Sequence, residues 1–179
     1  MKLIVIRHAK VLFNWENSYD PQTFNEACGA YSQADIFSEV DAAIKTGTMP
    51  VFISQLRRTE DTARMLFGDR EFISNEVFNE VELRAFSKRP SKLPTLLWKA
   101  VGRSHWFLNI PSQAEIRRQT LRRADLAIDL LEAQQGDVIL VSHGIFMQVL
   151  FGQLKKRGYA VKRSGSLWFE NLDMLVAEK

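Results

Sequence analysis

"KLIVIRHAKVLFNW", residues 2–15, decides how the chain is read. Its apolar run Leu3-Ile4-Val5-Ile6 is continuous rather than alternating, the pattern of a strand covered by helices on both faces. The run leads directly into Arg7 and His8, which repel each other when both are charged and which a core has no use for. Either they are the first solvated residues past a strand, or an anion sits between them. Two other stretches have the same build. "VFIS" (51–54) leads to Arg57 and Arg58, and "DVILVS" (137–142) leads to His143 and Gly144. Short Val- and Ile-rich runs alternating with helical patterns argue for crossover units and a parallel sheet. The expected class is α/β, a three-layer αβα sandwich with a largely parallel central sheet, as one domain over residues 1–179.

Between the strands, residues 31–46 carry a helical stripe of Ile36, Phe37, Val40, Ala43 and Ile44 that stops at Gly47. Residues 57–67 and 112–135 also read as helices, the second entered through Pro111-Ser112 and stopped by Gly136. The C-terminal "SLWFENLDMLVAEK" reads as two short strands joined by a turn at Asn171, at the sheet edge. Residues 84–111 fit this scheme poorly. Three prolines, two tryptophans and a basic excess predict an irregular or short-helical insertion on the sheet. Trp98 and Trp106, with Leu93, Leu96, Leu97 and Phe107, suit core packing. The preferred functional reading is a lid in which these aromatics and Lys99 or Arg103 shape a pocket. An amphipathic segment at a membrane surface is a third and less favoured reading.

With 46% hydrophobic and 25% charged residues, the composition is that of a globular protein rather than a disordered or membrane-spanning one. The single cysteine, Cys28, excludes an internal disulfide and a thiol metal cluster. An apolar strand begins by residue 3 without a charged leader, so a cytoplasmic protein without membrane insertion is expected. The net charge of +3 hides an asymmetry: residues 84–123 hold ten basic side chains against Glu115 alone. That segregation favours an anionic partner: a phosphorylated small molecule, a nucleic acid or a membrane surface. Nucleic acid is not expected. Arg117-Arg118 and Arg122-Arg123 read as a solvated helical stripe, and His105 as a structural or surface histidine.

In open parallel sheets, ligands bind outside the carboxyl ends of the strands. Three strands therefore bring Arg7, His8, Arg57 or Arg58, and His143 to one edge. A zinc site needs three or more donors, and arginine neighbours oppose a divalent cation. No metal site is expected. Arginine forks instead match phosphate oxygens bidentately, and helix N-termini behind the strands add N–H donors. A neutral imidazole in such a pocket is a competent phosphoryl acceptor, provided its other nitrogen is held by a backbone acceptor. A proton donor for the leaving oxygen is also needed. "SNEVFNEVELRAF" offers Glu76, Glu80 and Glu82, among which periodicity does not choose.

Taken together, these residues resemble the histidine phosphatase superfamily, also called phosphoglycerate-mutase-like. The family's Arg-His-Gly, with an asparagine six positions after the histidine, matches Arg7, His8 and Asn14, with Ala9 in place of glycine. Its Ser-x-Leu-x-Arg-x-x-x-Thr-Ala matches Ser54, Leu56, Arg58, Thr62 and Ala63, which makes Arg58 the phosphate clamp. Its late Ser-His-Gly matches Ser142, His143 and Gly144, and its Leu-x-Glu is best matched by Phe78-Asn79-Glu80. Lys10-Val11 stands where the family has Glu-Thr, and the stretch Gly-x-Trp-Glu-Gly is absent. The resemblance implies a metal-independent phosphomonoester hydrolase that requires no cofactor and acts on a small phosphorylated substrate. His8 would be the nucleophile and Glu80 the acid and base. Arg7, Arg58, His143 and Asn14 would hold the phosphoryl oxygens, with an N–H from the Gly144 region. The short chain lacks the long insertions of glycolytic mutases, which sets hydrolysis ahead of a phosphomutase. A catalytically silent member binding a phospho-ligand or a protein is the other alternative.

Overall fold

The computed structural model describes residues 1–37, 47–164 and 168–179. In chain order the elements are β1 (Lys2–Arg7), β2 (Ser18–Tyr19), α1 (Pro21–Gln33), β3 (Val51–Ile53), α2 (Arg57–Phe67), β4 (Ile73–Ser74), β5 (Leu93–Pro94), α3 (Thr95–Phe107), α4 (Arg117–Glu132), β6 (Val138–Ser142), α5 (Gly144–Lys156), β7 (Ala160–Arg163) and β8 (Met174–Glu178). Six strands form one sheet in the order β4-β3-β6-β1-β8-β7. β4, β3, β6 and β1 pair in parallel, while β8 runs antiparallel to both β1 and β7. The expected sandwich with a largely parallel sheet is what the chain forms.

The continuous apolar runs are explained by burial on two faces. Leu3, Val5, Phe52, Val138 and Leu140 pack in one cluster with Ala124, Ile128 and Leu131 of α4 and Phe146 and Leu150 of α5. Their sequence neighbours Ile6, Val51, Ile53, Ile139 and Val141 pack against Ala63 and Leu66 of α2 on the other face. Side chains alternate along a strand, so only a run apolar at every position fills both layers. Among the described residues no helix is long and apolar enough to cross a membrane.

Two expectations are corrected. α1 lies at Pro21–Gln33, capped by Asp20, whose carboxylate accepts from the backbone N–H groups of Gln22 and Thr23, with Pro21 in the first turn. The helix foreseen at 31–46 is not continued past Ala34, which is extended. Ile36 instead bridges to Val11, and residues 38–46 lie outside the described residues. At the C-terminus, β8 pairs with β1 and with β7 rather than with a strand just before Asn171, and residues 165–167 lie outside the described residues. The 84–111 insertion is helical over α3, and its Trp106 joins the main core cluster beneath the sheet. Trp98 is fully buried in a separate aromatic cluster with Tyr19 and Phe24. It stacks on Phe24 at 5.4 Å and donates its indole N–H to the Tyr19 carbonyl at 2.8 Å. Residues 93–94 pair with 18–19 in a second small sheet. α3 thus stands beside α1 and walls a cavity in front of the strand ends.

Candidate active site

The parallel register sets the end of β1 beside the end of β6, pairing Arg7 with Ser142. His8 and His143, one residue further on, have ring centroids 5.1 Å apart. In front of them opens a cavity of about 880 Å³ whose lining includes Arg7, His8, Arg58, Glu80 and Gly144.

His8 is buried, and its Nδ1 lies 2.7 Å from the Ala9 carbonyl oxygen. A carbonyl only accepts, so Nδ1 carries the proton and Nε2 keeps its lone pair. Burial, and after it the Arg58 guanidinium, lower the His8 pKa to about 3, outweighing the Ala9 carbonyl that acts in the opposite sense. The ring is therefore neutral at pH 7. The loop around it is fixed on several sides. The Ala9 N–H donates to Thr62 Oγ1 at 2.9 Å, the His8 N–H to the Ser142 carbonyl at 2.9 Å, and Asn171 Nδ2 to the His8 carbonyl at 2.9 Å.

Arg58 points inward and is 3% exposed, whereas Arg57 is exposed and pairs with Asp35 at 2.6 Å. The position in the helix decides this, since adjacent residues project about 100° apart. Arg58 Nε donates to His143 Nδ1 at 3.2 Å. His143 must therefore carry its proton on Nε2, 2.8 Å from Ser54 Oγ. Ser54 Oγ also accepts from the Leu56 N–H at 3.1 Å and lies 2.9 Å from Thr59 Oγ1. Burial, then Arg58, holds the fully buried His143 well below the usual histidine value, so it is neutral too. Arg7 donates Nη1 to the Phe169 carbonyl and lies flat against Gly144. A Cβ there would meet Arg7 Cζ and Nε at 3.2 Å, so glycine lets the guanidinium reach the start of α5.

Two guanidinium nitrogens at this place, Arg7 Nε and Arg58 Nη1, are buried with no hydrogen-bond partner among the described residues. A buried unpaired charged donor costs more than an ordinary lost hydrogen bond. Two of them beside a neutral imidazole with a free lone pair make a seat for a tetrahedral anion.

The three glutamates separate on geometry. Glu76 is exposed and does not line the cavity. Glu82 lines it but is exposed and bonded to Arg84 Nε at 2.8 Å. Glu80 lies at the start of α5: its Oε1 accepts from the Phe146 N–H at 3.0 Å and its Oε2 from the Ile145 N–H at 3.3 Å. Helix N-termini attract carboxylates for this reason. Asn14 is not brought in. It is exposed and absent from the cavity wall, where the next residue, Trp15, stands.

Several contributors had no signal in the sequence. Arg123 departs from the solvated stripe expected of its neighbours. It donates to the Val77 and Asn79 carbonyls at 3.0 and 2.6 Å and pairs with Glu115 at 2.5 Å, fixing the loop that carries Glu80. Phe169 and Asn171 clamp Arg7 and His8 from a C-terminal segment that read only as two short edge strands and their turn. Lys99 and Arg103 do line the cavity, so α3 contributes both the packing read into its tryptophans and the basic wall. Among the described residues no group of three His, Cys, Asp or Glu side chains comes together to hold a metal ion.

Residues 3–173 match the family model for the Histidine phosphatase superfamily (branch 1). A comparison with curated proteins returns no match. Among solved structures, the chain is similar to the mycobacterial glucosyl-3-phosphoglycerate phosphatase, with 18% identity, TM-score 0.59 and coverage of 98% of this chain and 88% of the other. It is similar to the α-ribazole phosphatase of Shigella flexneri at 19% identity, TM-score 0.56, covering 86% and 79%. A mutant phosphoserine phosphatase from Entamoeba histolytica, in complex with phosphoserine, matches at 20% identity, TM-score 0.53, covering 87% and 80%. At these identities the likeness is one of fold.

Proposed function

Because the chain belongs to the histidine phosphatase superfamily, we propose that it is a phosphomonoester hydrolase working through a phosphohistidine at His8. The observation that carries this reading is the pair of buried nitrogens without a partner among the described residues, Arg7 Nε and Arg58 Nη1, beside a neutral His8 whose Nε2 is unprotonated. In the first step the Nε2 lone pair attacks phosphorus from the side opposite the ester oxygen. The P–O ester bond breaks, and Glu80, which takes up a proton from water as the phosphate dianion binds, gives that proton to the leaving alcohol. In the second step Glu80, now a carboxylate, takes a proton from water as the water oxygen attacks phosphorus. The Nε2–P bond breaks, phosphate leaves, and neutral His8 is restored. The two arginines neutralise the charge on the non-bridging oxygens throughout. Each preorganised donor of this kind contributes roughly 3–4 kcal/mol to the transition state. His143 acts here by aiming Arg58, since both its ring nitrogens are already engaged.

The substrates are small phosphorylated molecules, in keeping with the size of the cavity. The direct test is turnover of p-nitrophenyl phosphate by the purified chain, with and without a chelator, from mildly acidic to neutral pH. Release of nitrophenolate in the presence of chelator is expected. Absence of turnover under every condition overturns the reading, and a requirement for metal overturns the metal-independent chemistry.

A further inference from the structure

The cavity carries more positive charge than one phosphoryl group uses. Arg84 and Glu82 satisfy each other. Of the remaining charged groups on the wall, Arg7, Arg58, Lys99 and Arg103 stand against Glu80 alone. A phosphate dianion balances two of these cations, and Arg7 and Arg58 beside His8 are the ones placed to meet it.

Lys99 and Arg103 form the second set. They are one turn apart on α3, where like charges repel and weaken the helix. Neither has a carboxylate within ion-pair distance among the described residues. The Lys99 ammonium rests 3.6 Å above the Trp15 ring centroid. An aromatic seat of this kind fixes a cation without cancelling its charge, where a carboxylate would neutralise it. Arg103 is anchored by one bond, Nη1 to the Val81 carbonyl at 2.8 Å, in the stretch that follows Glu80. Burial works against the charged form of both groups, and a second anion at this wall would offset that cost.

We propose that the cavity takes phosphate monoesters whose alcohol part carries a second anionic group, a carboxylate or another phosphate, held by Lys99 and Arg103. This rests on the reading of the site as a phosphatase. Charge-assisted bonds favour such a substrate over one with a neutral end, by about tenfold or more for one bond to a charged group.

The test compares kcat/KM for plain alkyl phosphates with that for ω-carboxyalkyl phosphates and alkanediol bisphosphates of graded chain length. The wild-type chain is expected to prefer the doubly anionic probes by about tenfold or more at the best-fitting length, and the two arms tell which anion is favoured. Lys99→Met and Arg103→Met should each cut that preference, with the smaller loss on the plain alkyl phosphates. Lys99→Arg, which keeps the charge, should retain it. Hydrolysis of all probes without preference, or a preference that survives the double Met variant, overturns the inference and leaves the phosphatase reading standing. No hydrolysis of any probe overturns both.

Discussion

Replacing Glu80 by glutamine tests the assignment of the proton donor and separates chemistry from stability. The carboxylate has two jobs in the structure. Its Oε1 and Oε2 accept from the Phe146 and Ile145 N–H groups at the start of α5, and its proton is the one assigned to the leaving oxygen. Glutamine keeps one carbonyl acceptor but turns an N–H donor towards one of these N–H groups. The stability cost is that of a lost charge at a helix N-terminus, about 0.3–1 kcal/mol, which shows as a small fall in Tm. The catalytic cost is far larger where the leaving group needs a proton. General acid catalysis contributes roughly 10²–10⁴-fold, or about 3–5 kcal/mol. The assay is kcat/KM, which reports only steps up to loss of the alcohol, for an alkyl phosphate and for p-nitrophenyl phosphate. Glu80→Gln should lose about 10²–10⁴-fold on the first and far less on the second, because nitrophenolate leaves without a proton. An equal loss on both refutes the reasoning. A loss of this pattern in Glu82→Gln would move the proton donor to Glu82.

The histidines predict a definite pH response. The folded His8 pKa of about 3 lies below its ordinary 6.5, so the unfolded chain binds more protons between these values, and stability should fall as pH drops through that window. Thermal melts check this, and imidazole NMR shifts of His8 should stay those of the neutral ring well below pH 6.5; a ring that titrates near its ordinary value contradicts the burial argument. Arg123→Met releases the Val77 and Asn79 carbonyls and leaves Glu115 unpaired, so denaturant unfolding should show about 2–3 kcal/mol lost, with a fall in kcat as the Glu80 loop loosens. Trp98→Ala empties a fully buried position and should cost about 3–5 kcal/mol in the same measurement.

Much of the architecture could be read locally, because strands buried on both faces must be apolar at successive positions. The runs at 3–6, 51–54 and 137–142 became the sheet centre, and the helix foreseen at 57–67 is α2. Elements whose stability comes from distant partners could not be read in this way. α1 buries only Phe24 and Ala27, so its periodicity was faint, and its signal lay in the Asp20-Pro21 cap. Ile36 fits a helical stripe on paper but is used to bridge Val11 across the chain. β8 finds its register from β1 at the opposite end of the sequence.

The site divides along the same line. Arg7, His8, Arg58 and His143 stand where strands and a helix begin or end, so position alone collected them. Residue pattern alone left Glu76, Glu80 and Glu82 open; the motif match pointed to Glu80, and the N–H groups at the start of α5 set it apart in space. Asn14 was carried by spacing from a motif, and its exposed setting shows how one residue of displacement puts Trp15 on the wall instead. The cation–π pair of Lys99 with Trp15 joins an insertion helix to the loop after β1, a contact no local pattern encodes.

The account rests on covalent chemistry at His8, and trapping the intermediate tests it most directly. The chain is mixed with phosphorus-labelled substrate, quenched rapidly in base and digested. The account predicts an acid-labile, base-stable label on the peptide containing His8, released as phosphate on the timescale of turnover and absent from His8→Ala. A label that persists in His8→Ala, or steady turnover with no labelled His8 peptide, would contradict it.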